Sequence, residues 1–310
     1  MVASPYLLKK LQEEESGLLD RLAACRRDMA VAAGDDIGRS MVETAEKAIK
    51  EIPPLRWLIP GLIHSVGFGI CGSAPFVGKT FMCASLAGSV SAGRPVFGNF
   101  KPTAPAKVAY LYGESNRAEF LWGIKRSLES RGIDGKNLFV KADRIPASQM
   151  KIGMPSLEAI VQSTGCKLLI LDTLAFFNQG TESNDDLQQR VVEPLVELVE
   201  RNQIFCLLVT HAQKATAGVE GIYQIRGGTT FTGAADVVLR MERVKGAERD
   251  SHQRTLIAEK VRGAPSWETT IEMDFTRRIV YEQSQDPREI LFTPEKLEAM
   301  KSKDPWKGDR

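Results

Sequence analysis

Residues 68–84 read FGICGSAPFVGKTFMCA, and the fold is decided there. Phe68, Ile70 and Cys71 form an apolar run, a tight turn of small residues follows, and Gly78-Lys79-Thr80 opens an apolar pattern with helical spacing. Strand, loop and helix in that order make an anion cradle: successive backbone N–H groups wrap the anion and the helix turns the positive end of its dipole toward it. In such a loop Lys79 reaches the terminal phosphates of a nucleotide and the Thr80 hydroxyl ligates Mg²⁺. The cradle comprises Gly72, Ser73, Ala74, Pro75, Phe76, Val77, Gly78, Lys79, Thr80 and Phe81. One position departs from the pattern. The glycine expected five residues before Gly78 is Ser73, with Gly72 one place earlier. On this stretch alone a chance GKT is an open alternative, and the rest of the chain has to decide.

The 310 residues, 43% hydrophobic and 26% charged, suffice for a full core and predict one large domain with or without an appendage. A net charge of +2 excludes a globally basic surface, so any nucleic-acid contact must be local, in a pore or a loop. Cys25, Cys71, Cys83, Cys166 and Cys206 lie in apolar runs without CxxC spacing. That is the pattern of buried reduced thiols in a cytosolic protein, not of a metal site or a disulfide frame. The opening MVASPYLLKKLQEEES turns acidic too soon for a signal peptide, and no uncharged stretch reaches membrane-spanning length. A cytoplasmic location without membrane association is expected.

Residues 1–50 are predicted to form a helical segment, with Leu7, Leu8, Leu11, Leu18, Leu19 and Leu22 recurring among charges and Gly34-Asp35-Asp36 as a break. It packs on its own domain or docks on a neighbouring subunit; the sequence leaves both open. A core domain spans 51–283, entered through the turn-rich EIPPLRWLIPGLIHSVG, and a charged tail covers 284–310. Within the core, strands are predicted over 67–71, 107–113, 137–142, 167–172 and 204–209. Helices are predicted over 78–91, 117–131, 155–164 and 186–202. After 233–244, two further runs ending in RRIVYE read as antiparallel strands on the sheet's edge.

Three polar residues stand at strand ends, where ligands sit in parallel α/β sheets. Glu114 follows VAYLYG, Asp172 ends KLLILD, and His211 follows IFCLLVT. Downstream of a phosphate loop, Asp172 occupies the place of the Mg²⁺-associated carboxylate, although a helix cap or turn residue looks the same in sequence. His211 suits a γ-phosphate sensor, against the commoner role of a satisfied core or surface histidine. The glycine-containing stretch 212–230 is too long and irregular for a plain connector.

From Pro53 to Glu282 the chain resembles the plasmid RepA-type ATPases, a branch of the DnaB-like, RecA-fold hexameric helicases. The resemblance rests on LRWLIPGLI (55–63), APFVGKTFMCASLA (74–87), VAYLYGES (108–115), LLILDTLAFF (168–177), LLVTHAQKA (207–215), IRGGTTFTGAADVVLRM (225–241) and EKVRGAPS (259–266). It implies a RecA-like α/β core: a mostly parallel sheet flanked by helices, with antiparallel C-terminal strands. It also implies roles. Glu114 matches the glutamate that activates the attacking water, Asp172 the Walker B aspartate, and His211, with Gln213 nearby, the sensing position. Lys260 and Arg262 match a Lys-x-Arg pair that enters the neighbouring subunit's nucleotide as an arginine finger; without the resemblance they read as a solvated strand-end pair. Loop 212–228 matches the channel loop that grips single-stranded DNA, with Lys214 and Arg226 as phosphate contacts, and Arg226 could equally hold the subunit interface.

The expectation is therefore a ring, hexameric by resemblance, that hydrolyses ATP with Mg²⁺ between subunits and moves on single-stranded DNA, in the replication of a plasmid, phage or other mobile element. Two alternatives stand beside it: a filament-forming recombination or annealing ATPase, and an ATP-gated scaffold that never moves on DNA.

Overall fold

The computed structural model describes residues 45, 55–98, 100–113, 117–142, 154–173, 191–211, 228–244, 246, 251–274 and 279–282. The chain divides into two compact units, Met1–Pro54 and Leu55–Arg310, and all but one of the described residues belong to the second. Its strands are β1 (Trp57–Ile59), β2 (Ile63–His64), β3 (Gly67–Ser73), β4 (Val108–Tyr112), β5 (Leu138–Ala142), β6 (Leu168–Asp172), β7 (Phe205–His211), β8 (Val237–Arg243), β9 (Gln253–Val261), β10 (Trp267–Asp274) and β11 (Ile279–Glu282). Its helices are α1 (Lys79–Ala92), α2 (Arg117–Ser130), α3 (Met154–Thr164), α4 (Glu193–Asn202) and α5 (Gly228–Ala234).

One nine-stranded sheet organises the unit, in the order β11-β10-β9-β8-β3-β7-β6-β4-β5. The six strands from β8 to β5 pair in parallel, and β9, β10 and β11 extend the sheet antiparallel. This is the RecA-like arrangement that the resemblance implied. Strands β4 and β6 are buried at every position, as expected where helices cover both faces of a parallel sheet. The turn-rich entry at 55–67 holds a two-stranded hairpin of its own, β1 against β2, which local composition did not predict.

Side-chain parity assigns the faces. In β6, Leu168 and Ile170 join one core, shared with Met82 and Leu86 of α1 and Phe120 and Ile124 of α2. Leu169 and Leu171 join the other, shared with Leu157 and Val161 of α3, Leu195 and Leu198 of α4, and Phe231 of α5. Because successive strand residues point to opposite faces, Asp172 continues the Leu168–Ile170 series on the α1 side. The same parity puts Tyr110 and Tyr112 of β4 and Phe205, Leu207 and Val209 of β7 on that side, with His211 next in the series.

Helix α4 runs over Glu193–Asn202, Val191 and Val192 before it are already helical (Val192 φ −67°, ψ −54°), and residues 186–190 of the predicted helix lie outside the described residues. Cys71, Cys83, Cys166 and Cys206 are buried and reduced, as expected, while Cys25 lies outside the described residues. The Cys83 thiol is pushed well up by the neighbouring Cys71 thiol and by burial, so it stays protonated. No helix among the described residues is long and apolar enough to cross a membrane.

Helix α1 is buried along nearly its whole length, because the sheet covers one side and α2 the other. Arg131, just past α2, seals that contact. Its Nη1 donates to Ser89 Oγ at 2.6 Å, Nη2 to Ser85 O at 3.1 Å and Ser127 Oγ at 3.2 Å, and Nε to Ser127 O at 3.2 Å. Burial, with Arg94 second, pulls the guanidinium down to about 9, which still leaves it charged at neutral pH. Gly88 makes room for it: a Cβ there would stand 2.3 Å from Arg131 Nη2. Glycine to alanine inside a helix ordinarily stabilises by about 1 kcal/mol. Here the guanidinium is pinned by its own hydrogen bonds and cannot step aside, so overpacking wins. Gly88→Ala is expected to destabilise by about 1–3 kcal/mol, read as a lower urea midpoint at unchanged slope.

Candidate active site

The loop after β3 has the form of a phosphate cradle, and its missing glycine is explained. Ser73 is the last residue of β3, paired with His211 of β7, and the positive φ angles of the loop fall instead at Phe76 (61°) and Gly78 (107°). Position 73 is extended, so a serine fits; its side chain is buried and Oγ donates to Ala74 O at 3.2 Å. Phe76 holds a left-handed backbone uncommon for an aromatic residue, and its ring is 93% exposed. Gly78 caps α1 without a side-chain hydrogen bond, and the first turn carries no acidic residue. A helix start arranged in this way suits an anion.

Lys79 is buried at 6% exposure. Its Nζ donates to the carbonyls of Ser73 and Ala74, both at 3.1 Å, and to His211 Nδ1 at 3.2 Å. An ammonium only donates, so Nδ1 of His211 is the accepting atom of that contact. The sequence placed Lys79 and His211 on separate elements, and the structure brings them into direct contact.

Asp172 is fully buried at the end of β6, level with Tyr112 of β4 and Val209 of β7. The residue that sequence reasoning missed is Tyr110. Its hydroxyl donates to Asp172 Oδ2 at 2.8 Å and lies 3.3 Å from the Thr80 carbonyl, joining the carboxylate to the first turn of α1. Burial, and then the Asp172 charge, push the phenol well above its ordinary range, so it remains a donor. The signal was present in VAYLYGES, where Tyr110 and Tyr112 alternate onto the α1 face. Tyr112 stacks on Phe120 with centroids 4.3 Å apart. A cleft of about 820 Å³ lies between the loop and α2, lined among others by Phe76, Lys79, Thr80, Tyr112, Phe120 and His211.

This donor set fits a Mg²⁺-nucleotide. An ammonium and backbone N–H groups suit phosphate oxygens, and the Thr80 hydroxyl with the Asp172 carboxylate are the hard oxygen ligands that Mg²⁺ prefers. Glu114, Gln213, Lys214 and Arg226 lie outside the described residues.

Lys260 and Arg262 stand elsewhere. Lys260 pairs with Val238 of β8, which pairs with Ile70 of β3, and the Arg262 N–H donates to Asp236 O at the level of Phe68. Lys260 therefore lies level with the middle of β3 and Arg262 level with its start, roughly 10–16 Å along the strand from Ser73 at about 3.3 Å per residue, and two strands to the side. Within one chain they do not meet Lys79. They bind the C-terminal end of α5: Lys260 Nζ donates to Thr232 O at 3.1 Å and Gly233 O at 2.8 Å, and Arg262 Nη2 to Ala234 O at 3.5 Å. Arg262 Nε also lies 3.4 Å from Asp236 Oδ1. Cations there complement the helix dipole. Burial chiefly, with Arg262 second, lowers the Lys260 ammonium from its ordinary range.

A profile of the AAA domain family matches residues 13–217. Among curated proteins nothing matches. Among solved structures, a separately solved ATPase domain superposes with a TM-score of 0.55 at 11% identity, covering 79% of this chain and 98% of that one. A DnaB-like replicative helicase, solved with its interactions with primase, gives 0.55 at 10% identity, covering 89% and 77%. The RadB recombinase gives 0.50 at 14% identity, covering 70% and 90%. At these identities the likeness establishes the fold: a RecA-like ATPase core.

Proposed function

The chain belongs to the AAA domain family, and on that footing we propose that it is a ring-forming, ATP-driven translocase or helicase acting on single-stranded DNA. The observation that carries the ATPase part is the convergence of Lys79, Thr80, His211, Tyr110 and Asp172 at one edge of the sheet. ATP sits with its phosphates on the loop N–H groups and Lys79. Thr80 and Asp172 would hold Mg²⁺, which would supply charge neutralisation on the phosphates. Glu114, next but one to the end of β4, takes a proton from the attacking water. The water oxygen bonds to the γ-phosphorus, the bond to the bridging oxygen breaks, and ADP and phosphate leave.

The second half of the site comes from a neighbour. Lys260 and Arg262 lie roughly 10–16 Å along the strands and two strands aside from their own loop, which supports a trans role in a closed ring, a hexamer by resemblance. The stretch 212–228, with Lys214 and Arg226, is the DNA contact, and replication of a plasmid, phage or similar element is the process it serves. The likeness to the RadB recombinase favours a second reading, a recombination ATPase that forms filaments.

One experiment separates these. ATP turnover is measured with and without single-stranded DNA while the mass of the assembly is determined with Mg²⁺-ATP. A discrete ring whose turnover rises with single-stranded DNA, less so at high salt, is the expected result. Open-ended filaments favour the recombinase reading, and turnover indifferent to DNA sinks both.

A further inference from the structure

We propose that Arg254 is a positioning residue for the phosphate site: it locks the Val77–Gly78 peptide so that the Gly78 N–H faces the phosphates. The inference rests on the reading of this loop as the ATP site and assigns a task to a residue that neither the loop pattern nor the catalytic set contains.

Arg254 lies on β9, 177 residues from Val77, and is 4% exposed. Its Nε donates to Val77 O at 2.8 Å, and its Nη1 donates to Ser251 O at 2.7 Å and Gln253 O at 2.6 Å. The guanidinium is thus held from its own strand and spends one donor on the back of the loop. In a trans peptide the C=O and the following N–H point in opposite directions. With the Val77 carbonyl drawn back onto Arg254, the Gly78 N–H is turned to the other side. A cation on the carbonyl oxygen also polarises the peptide and strengthens that N–H as a donor.

The loop cannot fix this peptide by itself. Glycine accepts either sign of φ, so the Val77–Gly78 plane could flip at little cost, yet Gly78 is held at 107°. Two contacts from the antiparallel extension hold it. One is Arg254; the other is Met273 of β10, whose sulfur would stand 2.7 Å from any Cβ at position 78. The β9–β10 hairpin therefore backs the peptide that opens α1.

The test uses the full chain with Arg254→Met, which keeps an unbranched side chain out to the ε position and removes every side-chain donor, and Arg254→Lys, which keeps the charge and the N–H donors of an ammonium. Arg254→Met is expected to weaken Mg²⁺-ATP and Mg²⁺-ADP alike by about 10- to 100-fold, the size of one charge-assisted hydrogen bond. Arg254→Lys is expected to recover most of that loss. A merely structural role would lower the melting temperature of both variants and leave the affinity of the folded fraction unchanged. A folded Arg254→Met that binds like wild type overturns the proposal and leaves the ATPase reading standing. A wild type that binds no nucleotide sinks that reading and the proposal with it. Should Arg254→Met not fold, hydrogen exchange on the wild type decides: Mg²⁺-ADP must slow exchange over 251–256 as well as over 74–80, and protection confined to the loop refutes the link.

Discussion

Replacing Arg262 with alanine is expected to cut ATP turnover by about 10³–10⁵-fold while nucleotide affinity stays within a few fold, because a finger meets charge that develops only as the phosphoryl group transfers. The strand register makes this a two-subunit prediction. Arg262 sits at the level of Phe68, several residues below the phosphate loop, with its side chain on α5 and Asp236. The Arg262 guanidinium is about half exposed, and ion pairs of that kind contribute at most about 1 kcal/mol, so the variant should remain folded. Mixing supplies the decisive measurement. Arg262→Ala subunits retain an intact loop, and Lys79→Ala subunits retain an intact finger. Co-assembly of two inactive proteins should restore part of the activity, since some interfaces then pair a good loop with a good finger. Turnover of Arg262→Ala at the wild-type rate, or mixtures as inactive as their parts, would rule out shared sites.

Asp172→Asn is expected to lower kcat by about 10²–10³-fold or more and to raise the Mg²⁺ concentration needed for half-maximal turnover. The substitution separates charge from shape. An asparagine has nearly the aspartate's volume and keeps a carbonyl oxygen to accept the Tyr110 hydroxyl, which lies 2.8 Å from Oδ2. The brace from β4 to the first turn of α1 therefore survives, and thermal stability should change little. What is lost is the negative charge of a fully buried group, where low dielectric makes charge count most. A variant with wild-type Mg²⁺ dependence would mean that Asp172 holds structure only.

Much of the site was legible because strands and helices write local periods into the chain. KLLILD and IFCLLVT announce buried parallel strands, and an acid or a histidine just after such a run has to emerge at the ligand-binding edge. Helix α5 was not legible. Its GTTFTGA has poor helix propensity, and the element persists because Lys260 and Arg262 bind its terminal carbonyls and Phe231 is buried beneath it. Nor could local pattern say that serine is harmless at position 73, since that turns on where β3 ends and where the positive φ angles fall.

By itself, then, the sequence determined the strand–loop–helix cradle, the place of Lys79 and Thr80 at the opening of its helix, and the strand ends carrying Asp172 and His211, because each depends on residues within a few positions of one another. The tertiary structure decided what stands behind and beside them. It set Lys79 against His211, tied Asp172 to Thr80 through Tyr110, put Arg254 at the back of the loop, and set Lys260 and Arg262 on the end of α5, two strands from the loop. Those contacts join residues from about 30 to 180 positions apart, and strand order and register select them, which no local period encodes.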